Sequence, residues 1–194
     1  MAYRIRDFSL SLLMTVFFFP VIAIIGALII FVYGRPVFYS EKRMGLHGRL
    51  FTLYKFRTLK PVQGQVKEKD DLEGRVLKNG TPENCRGGFF KFLRKYSLDE
   101  LPQIWNVLAG DMSIVGPRPM PAHELLHRFG SDASKITSVR PGLTGLWQIN
   151  GRNDLSTEER RRLDLGYVET RSVLLDCKII LKTFSAVLSG RGAY

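Results

Sequence analysis

The sequence predicts an α+β protein, mostly helical around a small β-hairpin, behind an N-terminal membrane-seeking helix. Three observations carry this. Phe8 to Gly34 contains no charged residue. Leu50 to Leu59 alternates around Lys55 and Arg57 just after a Gly-bearing turn, the pattern of a half-buried hairpin strand. Thr157 to Tyr167 and Ser172 to Leu188 read as helices by pattern. At 194 residues and 45% hydrophobic content, the chain has material for one domain, with or without an anchor.

The apolar run comes first. As one straight helix it reaches about 40 Å at 1.5 Å per residue, more than the roughly 30 Å hydrocarbon core of a bilayer. A cleaved signal peptide does not fit, because the run is long and no small-residue cleavage site precedes a polar start. Pro20 lacks a backbone donor and crowds the preceding turn, which predicts a kink. Each arm then has about 12 residues, roughly 18 Å, enough for one leaflet. Both flanks are basic, with Arg4 and Arg6 before and Arg35, Lys42 and Arg43 after. Cytoplasmic flanks favour Lys and Arg, which suits a re-entrant hairpin; a Pro-kinked spanning helix is the alternative. Both leave residue 35 onward as one block.

Pro36 to Ser40 predicts a short strand, and Met44 to Gly48 the turn into Leu50 to Leu59. Lys60 to Gly88, rich in Gly, Gln and charge, predicts a long surface loop. Phe89 to Lys95 is a short amphipathic helix with a basic face, suited to a lipid interface or to a core. A helix begins near Asp99 and stops near Gly110. Val139 to Arg152 is punctuated by Pro and Gly and predicts a structured loop or short strands, where function often resides. Ser172 to Leu188 carries Lys178 and Lys182 at i, i+4 on an apolar helix that can pack on the core or lie on a membrane.

With 29 Lys and Arg against 18 Asp and Glu, the chain is basic. Nucleic acid, an anionic membrane and a phosphorylated substrate all explain that balance. No zinc-knuckle, RNP-like or basic-helix pattern is present, so no nucleic acid partner is expected. Basic residues near an anchor gain about 1 kcal/mol each from anionic lipid. Cys85 and Cys177 stand far apart without partners at ligand spacing, which predicts reduced thiols.

The chemistry concentrates between Arg94 and Pro119. Ser97-Leu98-Asp99-Glu100 reads as a capping box, but Pro102 would then clash past the first turn. Moving the cap to Asp99 puts Pro102 in the first turn and a carboxylate in the positive end of the helix dipole. A phosphoryl group would meet the same field, and Glu100 could hold Mg²⁺, which takes oxygen ligands, waters and substrate phosphates. Capping and chemistry therefore compete as explanations of the pair. Arg118, fixed between Pro117 and Pro119, is either a phosphate clamp or a solvated turn residue. His123-Glu124-Leu125-Leu126-His127 matches the zinc-peptidase pattern H-E-x-x-H, yet the extended zinc-binding sequence does not follow, and Glu158 or Glu159 are the available third ligands. An exposed helix is the competing reading.

Taken together the blocks resemble the bacterial sugar transferase family, the small monotopic polyprenyl-phosphate phosphoglycosyl transferases. The matching residues are Lys55-Phe56-Arg57-Thr58, Arg94 with Ser97 to Gln103, Asn106-Val107-Leu108, Gly110 to Ser113, Gly116 to Pro119, Val139 to Gly142, Thr144-Gly145 and Asn150-Gly151-Arg152. Departures fall at Glu41, where the family often has Gln, at Leu59, where Met is usual, and in the loop from Lys60 to Gly88. The resemblance implies a re-entrant membrane segment over residues 1–34 and a catalytic domain over 35–194 at the cytoplasmic face of the bacterial inner membrane. It implies transfer of a sugar-1-phosphate from a UDP-sugar to polyprenyl (undecaprenyl) phosphate, with UMP released and surface glycan assembly begun. Asp99 is the implied nucleophile and Glu100 the implied Mg²⁺ ligand. Lys55, Arg57, Arg94, Arg118, Arg140 and Arg152 are the candidate phosphate and nucleotide contacts. Trp147 and Met120 to Arg128 are candidates to border the sugar.

Overall fold

The computed structural model describes residues 2–58 and 87–190. The first element, α1, runs Ala2–Tyr33 as one helix with Pro20 inside it. Among the described residues it is the one helix long and apolar enough to cross a membrane. One stripe of α1, spaced by three and four residues, faces the rest of the chain along its whole length. Arg4 donates to the carbonyls of Val107 and Leu108, each at 2.7 Å. Buried Asp7 accepts from Ser113 Oγ at 2.5 Å. Met14 and Phe18 pack on core clusters, and Ile22, Ile25 and Ile29 are buried beside Phe56, Phe90 and Leu93. Tyr33 ends the stripe, stacked on Phe90 at 4.5 Å. The other faces carry exposed Leu13, Val16, Phe17, Phe19, Ile24 and Phe31, the last 89% exposed.

The hairpin pairs β1 (Phe38–Met44) antiparallel to β2 (Leu50–Phe56). Strand β1 runs four residues beyond the predicted Ser40, because Glu41, Lys42 and Arg43 face Leu53, Thr52 and Phe51 in register. The ladder's backbone hydrogen bonds extend it even through a charged segment. The predicted loop lies outside the described residues except for Gly87 and Gly88, which open α2 (Gly87–Lys95); Cys85 also lies outside. Helix α2 buries Phe90 and Leu93 and leaves Phe89 and Phe92 exposed, so it presents apolar side chains both to the core and away from it.

The acid pair is not a helix cap. Leu98–Glu100 forms a separate 3₁₀ turn behind Ser97, whose φ is 55° and whose side chain makes no capping bond. Helix α3 (Gln103–Ala109) starts only after Pro102. Pro102 has no N–H to return to Leu98, so the chain tightens into i→i+3 bonds instead, Leu101 N to Leu98 O at 3.3 Å among them. Gly110, with φ 95°, stops α3 as predicted. The reciprocal capping bonds form at Ser156 and Glu159, at the head of α7 (Thr157–Thr170).

Two short strands, β3 (Ser113–Val115) and β4 (Gly142–Thr144), pair in parallel. Between them lie α4 (Ala122–Phe129) and α5 (Ala133–Ile136); α6 (Leu146–Ile149) follows β4. The strands meet at glycines: a Cβ on Gly142 would strike the backbone of Gly116. This close approach sets the Pro117–Pro119 turn directly beside Gly142 and Leu143. The final helix, α8 (Val173–Ser189), buries Asp176 and Ile179 and exposes Leu174, Leu181, Phe184 and Leu188. Tyr167 of α7 donates to Asp176 at 2.8 Å, and Arg6 reaches the same carboxylate, so α1, α7 and α8 share one buried polar junction.

Candidate active site

Asn106 brings the acid pair to the hairpin. Buried on α3, it donates to Thr52 O at 2.7 Å and accepts from Tyr54 N, which locks α3 across β2. Lys55 on β2 then meets Glu100, Nζ to Oε1 at 2.6 Å. The two residues line an open cleft of about 300 Å³ together with Arg43, Gln103, Arg118 and Gln148. Arg43 also donates to the carbonyl of Pro119 at 3.2 Å, so the hairpin supports the turn that carries Arg118.

The paired carboxylates are pulled apart in acidity. Burial, then the negative charge of Glu100, push the Asp99 carboxyl up to about 6, against Lys55 and Arg94. Burial opposes the charge on Glu100 as well, but Lys55, Arg118 and Arg152 outweigh it and hold its carboxyl well below the usual range. Two neighbouring acids set apart in this way have distinct chemical roles. The surroundings thus favour the anion at Glu100 and make Asp99 the more readily protonated of the two. Asp99 adjoins this cleft through Glu100 and is not itself among its lining residues.

Arg118 and Arg152 act on Glu100 by charge, and among the described residues neither guanidinium donates a hydrogen bond. Arg118 lines the cleft with donors available to an incoming anion, whereas Arg152 is buried and is not among the lining residues. Arg94, in the last turn of α2, acts on Asp99. Of the six predicted phosphate contacts, Lys55 and Arg118 line the cleft, while Arg57, Arg94, Arg140 and Arg152 do not. Arg57 donates to the carbonyls of Tyr33 and Gly34, at 3.0 and 2.5 Å, and so closes the C-terminus of α1. Arg140 donates to Gly110 O at 2.8 Å, closing α3. Each meets the need of helix-end carbonyls for a partner, and neither lines the cleft.

Arg43, Gln103 and Gln148 line the cleft without having been singled out in the sequence. Gln103 sits inside the block that holds the acid pair, and Gln148 two residues after Leu146 in a Gly-punctuated segment; those blocks were the available signal. The H-E-x-x-H residues do not form a metal centre. His123 and His127 are exposed on α4, Glu124 is paired with Arg128 at 2.7 Å, and the described residues contain no group of three metal-ligating side chains. A divalent cation at Glu100 is a different matter. Its carboxyl is held below the usual range, with Oε1 on Lys55 and, among the described residues, no hydrogen bond to Oε2. One carboxylate, completed by waters and substrate phosphates, is the way Mg²⁺ is usually held, so the residues fit that ion.

Residues 1–190 match the family described as bacterial sugar transferase. The exopolysaccharide production protein ExoY of Rhizobium meliloti is 40% identical over 100% of this chain and 88% of its own length. The undecaprenyl-phosphate galactose phosphotransferase of Salmonella typhimurium is 41% identical over 83% of this chain and 35% of its own. The UDP-glucose:undecaprenyl-phosphate glucose-1-phosphate transferase of Xanthomonas campestris is 40% identical over 82% and 33%. The chain thus spans about a third of the length of the latter two. The match runs along nearly the whole chain and includes the apolar N-terminal helix. The protein belongs to the bacterial sugar transferase family.

Proposed function

We propose that the protein transfers a sugar-1-phosphate from a UDP-sugar to undecaprenyl or a similar polyprenyl phosphate, through a covalent intermediate on Asp99. The observation that carries this reading is the acid pair in its setting: Asp99 adjoins Glu100, which meets Lys55 at 2.6 Å in a cleft that Arg118 also lines. In the first step an Asp99 carboxylate oxygen attacks the β-phosphorus, the bond from that phosphorus to the UMP oxygen breaks, and UMP departs. In the second, an oxygen of the lipid phosphate attacks the same phosphorus and the Asp99 carboxylate leaves. Splitting one displacement into two lets a soluble donor and a lipid acceptor use one site in turn. Arg118 and Arg152 stabilise charge on the transferring oxygens. Glu100 would hold Mg²⁺, which supplies further charge neutralisation at the diphosphate.

The anchor supports the same reading. Residues 1–34 enter the cytoplasmic leaflet and return, leaving residues 35–194 at the cytoplasmic face of the inner membrane. What supports this is the attachment of both ends of α1 to one domain: Arg4 to α3 at its start, Tyr33 to Phe90 at its end. A helix of 32 residues packed lengthwise on a domain has no free length with which to cross a bilayer. Its exposed apolar flank faces lipid, and the cleft comes level with the lipid headgroups.

The test is incubation of the protein with labelled UDP-sugar and Mg²⁺ but no lipid. UMP release and a labelled Asp99 peptide are expected. A requirement for lipid before any UMP appears would falsify the covalent step.

A further inference from the structure

Behind the cleft lies a buried acid that the proposed reaction does not use. Asp164 on α7 is 1% exposed, and neither of its carboxylate oxygens has a well-formed hydrogen bond. The charged groups facing it are Arg118 from the Pro-flanked turn, Arg128 from α4 and Arg160 from its own helix, with the Arg118 backbone amide beside them. Of the other acids near these arginines, Glu124 is paired with Arg128, and Glu100 across the cleft feels Arg118 and is paired with Lys55. Burial pushes the Asp164 carboxyl up to about 7, and the arginines only partly offset it. A buried carboxylate held this way weakens the fold, so a stabilising role does not explain it.

Trp147, 3% exposed, carries two of the same arginines against its ring: the Arg118 Cζ at 4.9 Å from the centroid and the Arg160 Cζ at 5.4 Å. Arg160 is itself tied down, donating to the carbonyls of Leu155 and Asn153 at 3.1 and 3.0 Å. Arg118 has no such tether among the described residues, so its guanidinium takes its orientation from the Trp147 ring and the charges around it. Resting on the transferase reading above, we infer that Asp164, Trp147 and Arg160 form a positioning layer that aims the Arg118 guanidinium into the cleft to grip the diphosphate of the nucleotide-sugar. Asp164 touches no substrate in this arrangement and acts through Arg118.

The inference has a sign that a charge effect alone does not share. If Asp164 acted only by long-range repulsion of the phosphates, neutralising it would tighten anion binding. If it aims Arg118, neutralising it loosens binding. Stability separates it from a structural role. The folded carboxyl titrates above its unfolded value near 4, so its ionisation opposes folding as pH rises from about 4 through about 7. Asp164→Asn therefore leaves Tm at pH 8 equal to wild type or higher.

The experiment uses the full chain in lipid nanodiscs with Mg²⁺. UMP affinity is measured by equilibrium binding, and KM and kcat by UMP release from UDP-galactose and UDP-glucose with polyprenyl phosphate. Asp164→Asn is expected to weaken UMP binding and raise KM about tenfold, the scale of a desolvated cation–π contact, with kcat changing less. In an Arg118→Ala background the same substitution adds no further loss. Trp147→Phe, which keeps a ring, is expected to show a smaller loss that also vanishes in that background. It reads the layer independently if Asp164→Asn fails to fold. Tighter UMP binding in Asp164→Asn, or losses that multiply with Arg118→Ala, overturn the positioning layer. Wild-type protein that binds UMP but releases none from either donor counts against the transferase reading, while the binding arm still tests the layer. A wild type that does not bind UMP overturns both.

Discussion

Asp99 and Glu100 are adjacent in the chain yet ionise in different ranges, and the cause is local. Glu100 has Lys55 at 2.6 Å and two arginines acting on it, whereas Asp99 shares its burial and feels Glu100's charge. The rate of UMP release should therefore fall as pH drops below about 6, where Asp99 gains its proton and ceases to be a nucleophile. A pH–rate profile in buffers from pH 5 to 8 reads this directly (about one decade lost per unit on the acid limb). Asp99→Asn should abolish transfer, by on the order of 10³-fold or more, with circular dichroism unchanged. Lys55→Met removes a cation that competes for Glu100 Oε1 and should lower the Mg²⁺ concentration needed for half-maximal rate. No change in that dependence would remove Glu100 from the metal-binding role. The acids themselves were legible in the sequence as a pair beside a proline. Their unequal acidity was not, because it depends on Lys55, 45 residues away.

At the scale of elements, the site depends on joints between secondary structures. Asn106 fastens α3 to β2, Arg43 fastens the hairpin to the Pro117–Pro119 turn, and the Gly116–Gly142 approach sets that turn against β4. Helix periods and turn residues predicted α7, α8, the hairpin and the stop at Gly110. The parallel β3–β4 pair escaped, since three-residue strands have too few alternations to register as a period. Arg57 and Arg140 sit on helix-end carbonyls outside the cleft. A guanidinium that closes a helix end and one that grips phosphate have the same sequence signature, and only the location of the carbonyls tells them apart. The buried junction of Arg6, Asp7, Asp176 and Tyr167 is the joint between the anchor and the C-terminal helices. Asp176→Ala leaves Arg6 without its fully buried partner and should destabilise the protein by about 3 kcal/mol. Chemical denaturation in detergent measures that loss; a stability equal to wild type would show the junction to be dispensable.

For the whole molecule, the governing relation is between α1 and the domain along which it lies. In the proposed arrangement, an apolar helix pinned at both ends would hold the candidate cleft at a fixed height against a lipid surface. The proposed topology predicts that a cysteine introduced at Ala2 reacts with an impermeant maleimide only from the cytoplasmic side of oriented vesicles. Labelling from the outside would mean that α1 spans. Exposed apolar residues also occur on α8 and, at Phe92, on α2, beyond the N-terminal helix.

The sequence by itself determined the class of fold, the membrane-seeking helix, the acid pair and the family. Those properties reside in contiguous residues, as period, composition and short ordered motifs. Only the tertiary structure decided which arginines face the cleft, that the acid pair sits on a 3₁₀ turn ahead of α3, and that Asp164 and Trp147 stand behind Arg118. Electrostatics and hydrogen bonding depend on distance in space, and these partners come together only when segments far apart in the chain pack against one another.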